Sequence, residues 1–387
     1  MKKLLLVLSC LMTLSLTAQN RFTTATNWKD LFSLATTAHK MVIIDCYFEG
    51  CHPCKQMDDE VFPHPAISQL MDSAFVGVKT DILKEDFGKQ LQIKYGITGF
   101  PTYLIFTSDG HLVDYFSGYK EADLFESLLR KAAGKARAGI VLNGFSNVPD
   151  VPYPEFYSAY FKERKSYSPQ QLESYLTDNK KGLEFPFKEE AVMPLLMTRG
   201  LTSDLMDFVL KNYNQLEKSF GKGLVEVQLM RSLQNKFANG TGEDKELWLN
   251  TFLGHIKQYI NDADWPYVTL NIAESYYVNY LKDLDAFFKF AATHFNDDDN
   301  KVRYMGMRLT GANATATQKD LYLSWATKVL NQHSAQDALE VAASVLLTEN
   351  RKEEAGRLAG WALTKAKQNN RDPSGSQKIL DQIHREN

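Results

Sequence analysis

Cysteine is scarce in this chain: four among 387 residues, none after Cys54. So few exclude a disulfide-stapled scaffold. There is no second C-x-x-C and no H-x3–5-H, and His64 stands isolated, so a four-ligand structural zinc site is not expected. Cations are not in excess either. Lys and Arg number 44 against 47 Asp and Glu, a formal net charge of −3, and no basic stripe argues for nucleic acid. Beyond the first 18 residues there is no run apolar enough to cross a membrane. What remains is ordinary globular composition, 44% hydrophobic and 24% charged, in a chain long enough for two domains.

The N-terminus reads as an export signal over residues 1–18. Lys2-Lys3 supply the basic start, Leu4 to Leu16 the apolar core, and Leu16-Thr17-Ala18 an A-x-A-like cleavage site. Cys10, after Val7-Leu8-Ser9, has the look of a lipoprotein acceptor, but the apolar stretch before it is very short, so cleavage near Ala18 is expected. Loss of Lys2 and Lys3 would bring the net charge to −5. The location implied is the periplasm or cell envelope.

The chain is organised around Ile43-Ile44-Asp45-Cys46-Tyr47-Phe48-Glu49-Gly50-Cys51-His52-Pro53-Cys54-Lys55-Gln56-Met57. Its first half is an apolar, partly β-branched run, which predicts a buried strand. From Lys55 on, the apolar spacing turns helical. A strand, a sharp turn carrying C-x-x-C and a helix opening at that turn make a thiol–disulfide site. Cys51 is placed just ahead of the helix, where free backbone N–H groups favour a thiolate. Cys54, one turn on, is near enough for a disulfide, and Pro53 suits the first helical turn. Cys46 falls inside the strand and reads as an inert buried thiol. Asp45, in an otherwise apolar strand, is expected to have its pKa raised by desolvation. His52 admits two readings: an imidazolium that stabilises the thiolate, or a solvent-facing spacer.

Downstream stand Phe75-Val76-Gly77-Val78-Lys79-Thr80-Asp81, then Tyr95-Gly96-Ile97-Thr98-Gly99-Phe100-Pro101-Thr102-Tyr103-Leu104-Ile105-Phe106 and the turn Ser108-Asp109-Gly110. With the C-x-x-C stretch, these make residues 25–133 resemble the thioredoxin superfamily. The run Met57 to Phe62 followed by Pro65-Ala66-Ile67 looks most like exported bacterial members. The resemblance implies an α/β fold, a central mixed sheet flanked by helices. It also implies a cis Pro101 facing the disulfide, and Asp45, six before the first active-site cysteine, as proton acceptor for Cys54. One position departs from the pattern: Gly50 stands where a tryptophan is common.

Element by element, the reading gives a helix from Asn27 to Ala35, a strand at 41–48, the active-site helix, and a second helical piece from Pro65 to Met71. Then come strand 75–80, helix 84–94, a hairpin of strands 101–107 and 111–117, and helix 121–133. The thioredoxin-like domain is thus expected at 20–140, with a proline-spaced linker at 141–154 and an all-α domain at 155–387. A tetratricopeptide-like helical pair is expected near 336–369, with Ala343, Ala355 and Ala362 at close-packed positions beside Leu339 and Leu346. For the rest a solenoid or irregular helical array is expected, in preference to a compact bundle. Trp248, Trp265, Tyr276, Tyr277, Phe287 and Phe288 read as core rather than a ligand box.

The expected function is thiol–disulfide exchange on protein disulfides or dithiols by Cys51 and Cys54, with Asp45, Pro101 and His52 around them. No cofactor beyond the redox-active disulfide is expected. An upstream redox partner is implied, with no nucleic acid and no membrane span after signal cleavage. The helical domain would bind protein, leaving chemistry and partner choice in separate parts of the chain. The alternative is a non-enzymatic helical scaffold carrying a thioredoxin-like domain.

Overall fold

A computed structural model describes residues 22–178, 183, 186–239, 245–260, 262, 265–294, 299–310, 314–369 and 371–385. The expected export signal, Cys10 included, lies outside the described residues, as does the Trp248 side chain.

The first part is a five-stranded sheet with helices on both faces. Its elements are β1 (Phe22–Thr23), α1 (Trp28–Ala38), β2 (Met41–Tyr47), α2 (His52–Gln56), a π-helical turn (Met57–Val61), α3 (Pro65–Ala74), β3 (Phe75–Asp81), α4 (Asp86–Tyr95), β4 (Thr102–Phe106), β5 (Leu112–Ser117) and α5 (Ala122–Arg137). The strand order is β1-β3-β2-β4-β5. β3 runs parallel to β1 and β2, while β4 is antiparallel to β2 and β5 to β4. Central β2 and β3 are covered on both faces, which is why β2 reads as a nearly unbroken apolar run and β3 opens on one, from Phe75 to Val78. Asn27 caps α1 by accepting the Asp30 N–H at 2.9 Å.

Alternation along β2 divides two cores. Ile43 faces Tyr103, Ile105, Met57, Val61, Phe62, Phe125 and Leu129, beneath the π turn, α3 and α5. Val42, Ile44 and Cys46 face the other way, with Leu104 and Phe106, onto α1 and α4.

That second core does not stop at the expected boundary. Phe145, Tyr157, Met193 and Phe220, all after residue 140, belong to the same buried cluster as Val42 and Phe106. The proline-spaced segment packs rather than swings: the Leu142 N–H donates to Leu112 O at 2.7 Å and the Gly144 N–H to Ser219 O at 2.9 Å. A Cβ on Gly144 would stand 2.6 Å from the Phe220 ring, so only glycine admits this approach. Lys94 of α4 and Glu189 form an ion pair at 2.9 Å with side chains 1% and 5% exposed. Losing one partner of such a buried pair costs about 3–5 kcal/mol. The thioredoxin-like part therefore shares its core with the helices that follow.

From Glu155 on the described residues are helical apart from connections. The C-terminal core gathers Phe287, Phe288, Tyr322, Trp325, Leu339, Ala343, Leu346, Ala355 and Ala362. Helices Gln336–Thr348 and Lys352–Gln368 pack there with all five singled-out small and leucine residues fully buried. Tyr276 is buried, and Trp265 and Tyr277 are half-buried against the first core.

Tyr115 of β5 ties sheet to helices. Its hydroxyl donates to Phe220 O at 3.1 Å and accepts the Leu224 N–H at 3.2 Å. Leu224 lies in the first turn of helix Lys222–Asn239, where N–H groups have no partner within the helix. Tyr115→Phe should lower stability to urea by about 1–3 kcal/mol, read from the unfolding midpoint, with the thiol chemistry unchanged.

Candidate functional site

Cys51 and Cys54 form a disulfide, with Cα atoms 5.3 Å apart. Cys51 is the N-cap of α2 and Pro53 lies in its first turn. The Cys51 Sγ accepts the Cys54 N–H at 3.2 Å, so the sulfur meets an orphan donor of the helix start, which favours a thiolate on reduction. Both residues are largely buried, Cys51 7% exposed and Cys54 4%. Position at the cap, rather than exposure, distinguishes them. His52 is exposed on the opening turn.

The loop before Cys51 is held from β3. Asp81, 3% exposed, accepts the Glu49 N–H on Oδ2 at 3.0 Å and the Leu83 and Lys84 N–H groups on Oδ1 at 2.8 and 3.1 Å. Gly50 has φ +89, and no atom lies within 4 Å of where its Cβ would be. Backbone conformation, not space, therefore selects glycine here, since left-handed backbone costs other residues roughly 1–2 kcal/mol.

The Phe100–Pro101 bond is cis. The Phe100 and Phe48 rings meet edge to face at 5.2 Å, which joins the Pro101 loop to the loop leading into Cys51. On its other side Pro101 O accepts the Gly118 N–H at 2.7 Å. After α2 the helix widens: the Phe62 N–H donates to Met57 O at 2.9 Å, a five-residue span of the kind found at functional sites.

Asp45 is fully buried on the face that Met57 and Val61 cover. Its register partners are Lys79 in β3 and Tyr103 in β4, so all three side chains share a face. Lys79 Nζ stands 3.3 Å from Asp45 Oδ2, yet neither Asp45 oxygen receives a well-formed hydrogen bond. Lys79 donates instead to Asp58 Oδ1 at 2.5 Å. Burial pushes the Asp45 pKa from 3.8 to about 6; Lys79 opposes that rise and Asp58 adds to it. Burial works against the Lys79 charge, but Asp45 and Asp58 together hold its pKa above the ordinary lysine value. The result is a carboxylate able to take or give a proton near neutral pH.

Cys46 is free, fully buried and turned to the opposite face, and burial pushes its thiol pKa well up. Asp58, Lys79 and Asp81 complete the site without having been singled out from the sequence. A lysine inside the apolar run of β3 was the available signal for a partner of Asp45. Among the described residues, no three His, Cys, Asp or Glu side chains converge as a metal site, and no helix is long and apolar enough to cross a membrane.

Comparison with known proteins gives the same outline. Residues 28–133 match the family described as thioredoxin-like domain. The protein disulfide-isomerase of Ricinus communis is 30% identical over 116 residues, 30% of this chain and 22% of that protein. The thiol:disulfide interchange protein DsbD of Photorhabdus laumondii is 31% identical over 108 residues, 27% of this chain and 19% of that protein. This chain thus spans only about a fifth of the length of these curated relatives. Among solved structures, a thioredoxin from Thermus thermophilus is similar at 24% identity and TM-score 0.27, over 29% of this chain and 87% of that one. The oxidised C-terminal domain of Neisseria meningitidis DsbD is similar at 24% identity and TM-score 0.25, over 29% of this chain and 97% of that one. A mixed sheet in the order β1-β3-β2-β4-β5 and the family match agree: residues 28–133 form a thioredoxin-like domain, followed by a region made mostly of helices.

Proposed function

We propose that this protein is an exported thiol–disulfide oxidoreductase acting on protein disulfides. The observation that carries the reading is the Cys51–Cys54 bond at the start of α2, with Asp45 buried on the sheet face below the continuing helix. In the reducing direction, the Cys51 thiolate attacks one sulfur of a substrate disulfide. A mixed disulfide forms and the other substrate sulfur leaves as thiolate. Cys54 then gives its proton to Asp45 and attacks the Cys51 sulfur. The remaining substrate sulfur leaves as thiolate, and the two electrons of the protein dithiol end on the substrate. Water protonates the leaving thiolates, and an upstream dithiol restores the enzyme.

Pro101 lines the approach beside the disulfide, and His52, exposed on the first turn, tunes the thiolate. The leader at 1–18 supports an envelope location, where a redox-active C-x-x-C has oxidising surroundings. The helical region serves partner binding.

A redox titration of Cys51–Cys54 in the full-length protein, paired with turnover of a protein disulfide, tests this. A potential near about −270 mV assigns a reductase and one near about −120 mV an oxidant. No turnover in either direction would overturn the reading and leave the scaffold alternative.

A further inference from the structure

The loop between β5 and α5, Ser117 to Glu121, touches both halves of the thiol site. Gly118 bonds Pro101 O as described, and Ser117 Oγ lies 2.5 Å from Thr102 Oγ1. The Lys120 N–H meets Met57 Sδ at 3.4 Å, and the Tyr119 hydroxyl donates to Glu60 Oε2 at 3.0 Å. Met57 and Glu60 belong to the π turn that continues the redox helix.

The other side of this loop is gripped from far along the chain. Arg371, 11% exposed, donates from Nη1 to Glu121 Oε1 at 2.6 Å and from Nη2 to Asp337 Oδ1 at 3.2 Å. Its Nε lies 3.6 Å from Glu60 Oε2, and its guanidinium sits 5.4 Å from the centre of the Tyr119 ring. The Gln336 N–H also donates to Glu121 Oε1 at 3.0 Å, Lys365 Nζ lies 3.5 Å from Glu121 Oε2, and Asn369 donates to Asp123 at 3.1 Å. One planar, permanently charged fork thus meets three carboxylates and a ring at once, an arrangement a lysine cannot reproduce.

We propose that Arg371 is a positioning residue for the thiol site: it holds the Tyr119–Lys120 loop in the shape a polypeptide must meet when its disulfide reaches Cys51. This rests on the oxidoreductase reading and deepens it. It makes the far end of the helical region part of substrate selection, acting through Glu60, Tyr119 and Glu121 rather than touching the reacting sulfurs. A small disulfide needs only the sulfurs and is indifferent to the loop.

The test compares full-length Arg371→Ala and Arg371→Lys with the unchanged protein, using insulin as polypeptide disulfide and oxidised glutathione as small one. Arg371→Ala should lower kcat/KM for insulin about tenfold, mainly through KM, and change the glutathione rate by less than about twofold. Arg371→Lys should recover only part of the loss. Independently of activity, amide hydrogen exchange at Gly118 and Lys120 should accelerate in Arg371→Ala while Val42 and Ile44 keep their protection. Equal losses on both substrates, or faster exchange throughout the chain, would reduce Arg371 to a general brace and overturn the proposal, as would no change. Should Arg371→Ala not fold, Glu60→Gln leaves the bonds to Glu121 and Asp337 in place; it must give the same selective loss in smaller measure, and behaviour like the unchanged protein overturns the proposal. If the unchanged protein reduces neither probe, the oxidoreductase reading falls, and the exchange measurement still decides the role of Arg371.

Discussion

Cys54→Ser should accumulate mixed disulfides with substrate and turn over roughly a thousandfold more slowly or worse, because the resolving thiol is gone while the attacking one remains. Cys51→Ser should lose turnover as completely and trap nothing. The asymmetry matters because exposure barely separates the two residues, at 7% and 4%. What separates them is the helix start: Cys51 is the cap whose sulfur accepts the Cys54 N–H, and Cys54 supplies that N–H from within the turn. A thiolate is stabilised by that donor, and a residue inside the turn has no equivalent. Cys46→Ser is the control, since its thiol is sealed on the opposite sheet face. Non-reducing electrophoresis with intact-mass analysis reads all three variants. Trapping on Cys51→Ser instead of Cys54→Ser would reverse the assignment of attacking and resolving sulfur.

Asp45→Asn should stabilise the fold at pH 8 and slow exchange. The Asp45 carboxyl has its pKa raised from 3.8 to about 6 by burial, with Lys79 opposing and Asp58 assisting. In the folded protein it therefore holds its proton over a range where the unfolded chain has released it. Stability from this group is fully present below about pH 3.8 and is lost as pH rises through about 6, amounting to roughly 3 kcal/mol. The amide carries no charge to desolvate, so the variant should match the parent near pH 3.5 and exceed it by up to about 3 kcal/mol at pH 8. Denaturant midpoints across that range measure the difference. The same substitution removes the proton acceptor proposed for Cys54. The rise in exchange rate with pH near 6 should disappear, with a loss of about 10²–10⁴-fold if proton transfer limits resolution. A variant no more stable at pH 8 than at pH 3.5 relative to the parent would show that Asp45 is not the desolvated carboxyl described.

Much of the sheet domain is legible without coordinates because its signals are local. Apolar runs bounded by turn residues mark β2, β3 and the β4–β5 hairpin, and helical spacing marks α1, α4 and α5. The strands fall within a residue or two of expectation, whereas α5 runs on to Arg137, four residues past the expected end at 133. The two-residue β1 is too short to carry a pattern. The π turn at 57–61 looks, in sequence, like ordinary helix, since one widened turn leaves the apolar spacing unchanged.

The site divides in the same way. Cys51, Pro53 and Cys54 lie within four residues of one another, so their relative geometry follows from a turn and the first turn of a helix. The roles expected of Asp45 and Pro101 come from the resemblance to the thioredoxin superfamily, not from their distance along the chain to that pair. Asp58, Lys79 and Asp81 carry no such mark. They matter only because β2 pairs with β3 in one register, setting Lys79 beside Asp45 and Asp81 beside Tyr47 at the mouth of the active-site loop. A slip of one residue would send Lys79 to the other face.

What the sequence determines alone is chemistry and local form: a C-x-x-C at a helix start, an acid buried below it, a sheet domain first and helices after. Those follow from backbone periodicity and side-chain type over a few neighbouring residues. The joining of the two regions was decided in three dimensions. The continuous core from Val42 to Phe220, the buried Lys94–Glu189 pair and the Arg371 grip on Glu121 link residues 95 to 250 apart. Such contacts form only when the whole chain has closed around them, so no local spacing announces them.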